Sequence, residues 1–393
     1  MLALVLFDFC LYGAQGLDAR AVVNGNTVFA FELYGRIKAQ PGNIIFSPFC
    51  ISSCLAMAYA GARDETATQI ARTLHFPTND GLVQGSFSAL RLQLTTVARN
   101  GGIELDIANG LWAQANHPFL PAYLGVAKSQ YDAEVKQADF KNGADAIARE
   151  LNQWISDKTK GKIQNMLPSQ ALNLDDRLLL ASAIYFKGRW ATAFDKSATS
   201  LQPFHVSLTN TIDVPLMRRF DSVRYAESEA FQLIELPYAG NTFAMLVLLP
   251  KKVDGLAQLE GWLSSNFLSG WLPQLKMRQV EIFLPNFKLE TGFRVGLELT
   301  RMGMANAFRQ TADFSGIDGT NDLYLSAVDH KAMVEVNEDG TVAAAATSGI
   351  AATVSAAQAA PPPVFRADHP FVFLIRDTRS GCLLFLGRLV GAQ

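Results

Sequence analysis

The chain has 393 residues, of which 49% are hydrophobic and only 18% charged, and its 34 Lys and Arg against 36 Asp and Glu leave a formal charge of -2. That balance offers no polybasic field for nucleic acid or anionic lipid and no acidic tail. No window approaches the roughly 18 continuous apolar residues of a membrane span, so the composition reads as a soluble protein with a large core.

Residues 1–16 (MLALVLFDFCLYGAQG) join an apolar run to small residues, the layout of an export signal, but lack a basic leader and place Asp8 inside the run. Residues 1–20 are therefore read as a degraded or partial signal ahead of one domain over 21–393. Extracellular placement is expected, with the cytoplasm as the alternative. Phe29, Leu33 and Ile37 then form one helical stripe within Asn26 to Lys38. Ser47-Pro48 supplies a cap and a first-turn proline for an apolar helix from Ile51 to Ala60. Asp64 is placed to cap a helix from Glu65 to Leu74, and Asp145 to Lys158 reads as a longer amphipathic helix closed near Gly161. The cysteines, Cys10, Cys50, Cys54 and Cys382, fit neither a CxxC pair nor a zinc site. Cys50 and Cys54, one helical turn apart, read as small buried hydrophobes.

From Leu178 onward strand signals take over. Leu178 to Phe186 is a nearly continuous apolar run, as for a central strand covered on both faces. Phe231 to Tyr238 and Thr242 to Leu249 flank Ala-Gly-Asn and read as a hairpin. Val280, Ile282 and Leu284 alternate with their neighbours, Leu323 to Val336 is a long extended stretch, and Phe371 to Ile375 and Cys382 to Val390 close the chain. Helices and strands segregate along the sequence, which predicts a single α+β domain with large antiparallel or mixed sheets.

One composition break stands out. Gly340 to Phe365 (GTVAAAATSGIAATVSAAQAAPPPVF) contains no charged residue and ends in three prolines. Gly349 and the threonines interrupt any helical face, and the two short strands that follow cannot form a core alone, which argues against a linker. A long loop within the domain remains, and such loops are commonly functional or disordered. As a strand, the segment would show Thr341, Ala343, Ala345 and Thr347 on one side and Val342, Ala344 and Ala346 on the other. A strand of that kind can be buried between two others with no charge to desolvate.

Glu338-Asp339-Gly340-Thr341-Val342-Ala343-Ala344-Ala345-Ala346-Thr347 closely resembles the reactive-centre-loop hinge of inhibitory serpins. Asn43 to Pro48, Gly61 to Phe76, Asn152 to Ile163, Ala183 to Trp190, Glu235 to Tyr238, Ala312 to Gly316 and His369 to Phe371 are similar to further serpin landmarks in serpin order, over roughly residues 26 to 390. The resemblance implies one domain of about nine helices and three β-sheets, with the loop exposed over about residues 338–365. It also implies a suicide substrate: after a serine protease, or sometimes a cysteine protease, acylates the loop, the cut strand inserts into the main sheet and carries the tethered enzyme away, distorting it. Counting from Glu338 by the family pattern puts the scissile bond at Val354-Ser355. Ile350, Ala352 and Thr353 are fallback positions, because the loop is longer than in many members. Valine among small residues suits a shallow elastase-like pocket, whereas the absence of Lys or Arg between Lys331 and Arg366 leaves a trypsin-like enzyme no anchor.

The same resemblance places Ser47, Cys50, Ser182, Trp190 and His330 in the region where the sheet opens. Cys50 stands where a second serine is usual and Ser182 where asparagine is usual, so these two are expected to make a reduced hydrogen-bond set with His330 beneath Trp190. Asn286 replaces a lysine that pairs with the hinge glutamate in some relatives. Neither a cofactor, a metal, a glycosaminoglycan-binding helix nor an oligomer is expected. The sequence has no GxSxG, HExxH, phosphate-loop or dinucleotide motif, so an enzyme has little support. A non-inhibitory carrier, chaperone or storage protein of the same fold is the alternative, disfavoured by a hinge free of charge, bulk and proline before Pro361.

Overall fold

The computed structural model describes residues 5–391 except 78, 101, 169 and 340–360, with side chains from residue 19 onward, 80 and 100 excepted. The hinge residues Gly340 to Thr347, the Val354-Ser355 bond and the fallback positions all lie outside the described residues. The first half is mainly helical, with α1 (Val5–Ile37), α2 (Pro48–Gly61), α3 (Asp64–Thr73), α4 (Asp80–Asn100), α5 (Pro121–Tyr131) and α6 (Phe140–Lys158). Between and after them come β1 (Ile44–Phe46), β2 (Glu104–Gln114), β3 (Glu134–Ala138), β4 (Leu178–Lys187), β5 (Ser200–His205), β6 (Thr211–Glu227), β7 (Phe231–Pro237) and β8 (Phe243–Pro250). The short helices α7 (Leu256–Trp262) and α8 (Ser265–Trp271) precede β9 (Lys276–Pro285) and β10 (Phe287–Arg294). Then follow α9 (Gly296–Leu299), α10 (Ser315–Asp318), β11 (Leu325–Val336), β12 (Val364–Arg366), β13 (Phe371–Asp377) and β14 (Leu383–Leu389).

This is the expected α+β domain. The strands form a five-stranded sheet of order β10-β11-β4-β2-β3 and a nine-stranded ladder of order β1-β14-β13-β8-β7-β6-β9-β12, with β5 also on β6. The long β6 pairs with β9 over most of its length and with β7 at its end, so it runs continuously through what the resemblance counts as two sheets. Among the described residues no helix is long and apolar enough to cross a membrane.

Several boundaries differ from the sequence reading: α1 starts at Val5, well before Asn26, and α2 runs Pro48–Gly61, beyond Ile51 to Ala60 at both ends. Asp64 is the first residue of α3, at φ +47°, and the cap position falls on Arg63, whose backbone N–H donates to Asp313 O. α6 starts five residues early, at Phe140, because the Asp139 carboxylate accepts from Asn142 N. A break at Gly143 hides that first turn from the apolar period.

The five-stranded sheet lies between two apolar layers. Leu179, Ala181, Ala183 and Tyr185 of β4 face α6, packing with Trp112 and Trp154, whose rings meet edge-on at 4.9 Å. Leu178, Leu180, Ile184 and Phe186 face the main core beside α2. Alternate residues of a strand point to opposite faces. Here both faces are covered, which is why the run is continuously apolar.

Candidate functional site

β11 and β4 run parallel in the middle of the five-stranded sheet, in unbroken register from Ala327 opposite Leu179 to Glu335 opposite Lys187, after a register shift between Leu325 and Ala327. Their common edge is a seam, and residues 340–360 begin four positions beyond the end of β11. Three groups of contacts tie the seam shut.

The first lies behind the sheet. His330 on β11 is wholly buried and opposite Ser182. Its Nε2 accepts from Ser47 N at 2.9 Å, so the proton sits on Nδ1, which donates to Ser182 Oγ at 2.9 Å. Burial pushes the imidazole down to about 3, against a hydrogen bond with the Ser182 backbone that acts the other way. Ser47 is also the N-cap of α2, its hydroxyl accepting from Cys50 N at 3.0 Å. One histidine thus fastens β11, β4 and the start of α2.

Cys50 does not join His330. Its thiol points to Asn109 Oδ1 at 3.7 Å and to Ala183 O at 3.6 Å, and burial raises its pKa far above the usual thiol value. The sequence reading missed Asn109. It sits on β2 opposite Ser182, and its amide donates to Ser53 Oγ at 3.3 Å. The amide that Ser182 cannot supply is therefore present one strand over, a juxtaposition that only the register shows.

The second group is at the end of the seam. Trp190 is not above His330 as expected: it follows β4, eight residues beyond Ser182, which at about 3.3 Å per extended residue is a separate location. Its indole stacks on Tyr238 at 4.5 Å and donates to Asn337 O at 2.8 Å. Trp190 N donates to Asp339 O and Phe194 N to Glu338 O, both at 3.2 Å. Asn286 Nδ2 donates to Glu338 Oε2 at 3.1 Å, so a neutral amide stands where an ion pair would need a cation. Lys196 lies 2.8 Å from Asp339 and holds that carboxyl below its usual range.

The third group lies in front. α6 packs on β2, and the segment after it crosses the seam before entering β4. Lys331 on β11 donates to Gln164 O at 2.6 Å and Asn165 O at 3.3 Å, with Glu290 of β10 at 2.6 Å. Arg294 pairs with Asp329 through two bonds of 3.0 and 3.1 Å and donates to Ala171 O at 3.1 Å. The crossing segment is a strap, anchored by α6 on one side of the seam and by two cations on the other. Near the seam's end a charge row, Lys288–Glu335–Lys187–Glu104, runs over four strands, with Lys187 3.5 Å from Glu335 across the seam itself.

These features match a known architecture. The family profile described as Serpin (serine protease inhibitor) matches residues 24–391. A leukocyte elastase inhibitor of Xenopus tropicalis is 38% identical over 92% of this chain and 97% of its own. An uncharacterized serpin-like protein of Thermococcus kodakarensis is 36% identical over 95% of this chain and 86% of its own. Among solved structures, uncleaved ovalbumin superposes with a TM-score of 0.86 at 32% identity, covering 94% of this chain and all of its own. The chain belongs to the serpin family of serine protease inhibitors.

Proposed function

We propose that this protein is a suicide inhibitor of a serine protease with an elastase-like preference for small aliphatic residues, attacked at Val354-Ser355. One observation carries the reading: the central strands β4 and β11 are parallel, and the chain leaves β11 straight into the uncharged segment. A segment that doubles back from the end of β11 is antiparallel to β11 and to β4 alike. Inserted between them, it exchanges one parallel ladder for two antiparallel ones, and parallel pairing is slightly the weaker per residue. Ten residues of β4 are available to pair. At about 1 kcal/mol net per hydrogen bond the added ladder is worth on the order of 10 kcal/mol.

Insertion buries the strand beneath α6 and the strap, where an unpaired charge would cost several kcal/mol. Thr341 to Thr347 carry none. The small P-side residues Thr353 and Val354 favour a shallow apolar pocket, and the elastase inhibitor relative supports that choice. A cysteine protease is a second class of target.

Incubation with pancreatic elastase tests the reading. A covalent adduct that survives SDS and boiling, with a new C-terminal fragment starting at Ser355, is expected. Cleavage without adduct would sink the inhibitory mechanism and favour the carrier or storage alternative.

A further inference from the structure

The nine-stranded ladder ends at β12, and its outer face near that end carries large apolar side chains that are exposed among the described residues. Phe220 on β6 is 60% exposed and Val364 on β12 46% exposed. Both are register partners of Glu281 on β9, so the three form one row across three strands. In the next row Phe283 is covered by two guanidinium groups, Arg366 at 4.4 Å and Arg218 at 5.7 Å from its ring centre. Arg218 is held by Glu281 at 2.6 Å and Arg366 by Asp368 at 2.9 Å. The charges are thus neutralised within the face, and Phe220 and Val364 are what it presents. Met277, 63% exposed, extends the patch along β9.

We propose that this patch, centred on Phe220, is a docking surface for the body of the attacked protease, apart from the loop that enters its cleft. The inference rests on the inhibitory reading above and is continuous with it. Eight residues separate Ser355 from Val364, and three of them are prolines. At about 3.1 Å per residue they extend no more than about 30 Å. A protease of about 230 residues has a radius of gyration of about 17 Å and so spans on the order of 45 Å. An enzyme holding the Val354-Ser355 bond therefore overhangs β12 and its neighbours β9 and β6. An inserted loop segment alone is a small contact beside the roughly 800 Å² per partner of a stable interface, and an exposed aromatic ring is the kind of group that carries such contacts. Because the flanking arginines are already paired, the contact is apolar and its effect does not depend on salt.

The test is the second-order rate of adduct formation with pancreatic elastase, measured at 50 and 500 mM NaCl. Phe220→Ala is expected to lower that rate about tenfold at both salt concentrations, with the melting temperature and the number of inhibitor molecules consumed per enzyme unchanged. Phe220→Trp is expected to retain the wild-type rate. Leu297→Ala, at an exposed site on α9 away from the patch, serves as control and is expected to have no effect. A Phe220→Ala rate equal to wild type overturns the docking surface while leaving the inhibitory reading standing. A wild-type protein that forms no adduct overturns the inhibitory reading instead. A wild-type dimer that Phe220→Ala abolishes, with adduct formation unchanged, assigns the patch to a second copy of this chain and likewise overturns the proposal.

Discussion

His330 on β11 and Ser182 on β4 are register partners across the parallel seam, joined by a 2.9 Å hydrogen bond, while the other ring nitrogen of His330 accepts from the backbone of Ser47. The Ser47 bond requires a neutral imidazole, whereas the Nδ1–H donation to Ser182 does not. A proton added at Nε2 would face the Ser47 N–H and break that bond.

Stability should consequently depend on pH through His330. Its folded pKa is depressed to about 3, while the unfolded chain titrates near the ordinary 6.5. Between those values the unfolded state binds the extra proton, so this contribution is intact above about pH 6.5 and is lost as pH falls through the window. The slope approaches about 1.4 kcal/mol per pH unit. Urea unfolding at pH 7.5 and 5.0 should show a loss in the wild type that His330→Gln reduces by about 2 kcal/mol. Equal losses in the two proteins would show that the histidine does not control the acid response.

Trp190 should report on the state of the seam. Its indole donates to Asn337 O, three residues before the uncharged segment, while its ring stacks on Tyr238. A strand entering beside β11 must move residues 337–339, which are bound to Trp190 and Phe194. Loop cleavage is expected to shift tryptophan emission in the wild type, and Trp190→Phe should remove most of that shift. The same substitution forfeits one hydrogen bond, a cost of about 1 kcal/mol in the uncleaved protein. An undiminished shift in the variant would place the change elsewhere among the five tryptophans.

The central strand and the C-terminal hairpin pair were legible because their apolar runs are long and bounded by turn residues. Leu178 to Phe186 reads as a strand covered on both faces. The three-residue β12 was not, since Val364 to Arg366 gains its pairing from β9 and shows no periodicity of its own. The site was legible in part. Ser47, Ser182 and His330 meet in the structure, whereas Cys50 turns to Asn109, and Trp190 belongs to a second cluster. Register between distant strands decides both outcomes: Asn109 lies 73 positions from Ser182 in the chain yet directly opposite it in the sheet. The strap was equally hidden, because Lys331 and Arg294 act on backbone carbonyls, for which no residue type is a signature.

Lys331 should govern how readily the strap lifts. The ammonium has three donors, and it is shared among Gln164 O, Asn165 O and Glu290. Lys331→Met keeps the aliphatic stem and removes all three bonds. Uncleaved protein held at 45 °C should then lose inhibitory activity several times faster than wild type, by inserting its intact loop, as resolved on a native gel. Equal half-lives would mean that the strap is not part of the barrier.

Thr341 lies outside the described residues, but the alternation of the segment and the position of the seam give a sharp expectation for it. If Thr341 is the first side chain to pass beneath the strap, Thr341→Arg forces a charge into a layer lined by Ala181, Ala183 and Met333 at the moment insertion begins. An unpaired charge there costs several kcal/mol, enough to slow insertion by orders of magnitude relative to deacylation. The variant should be cleaved by elastase at a normal rate but released as free product instead of an SDS-stable adduct. Thermal melts provide the second readout. Cleaved wild type should melt about 10 °C or more above the intact protein, as expected for an added ladder worth on the order of 10 kcal/mol. Cleaved Thr341→Arg should gain much less. Full adduct formation by the variant would show that Thr341 faces away from the buried layer and that the alternation is shifted by one residue.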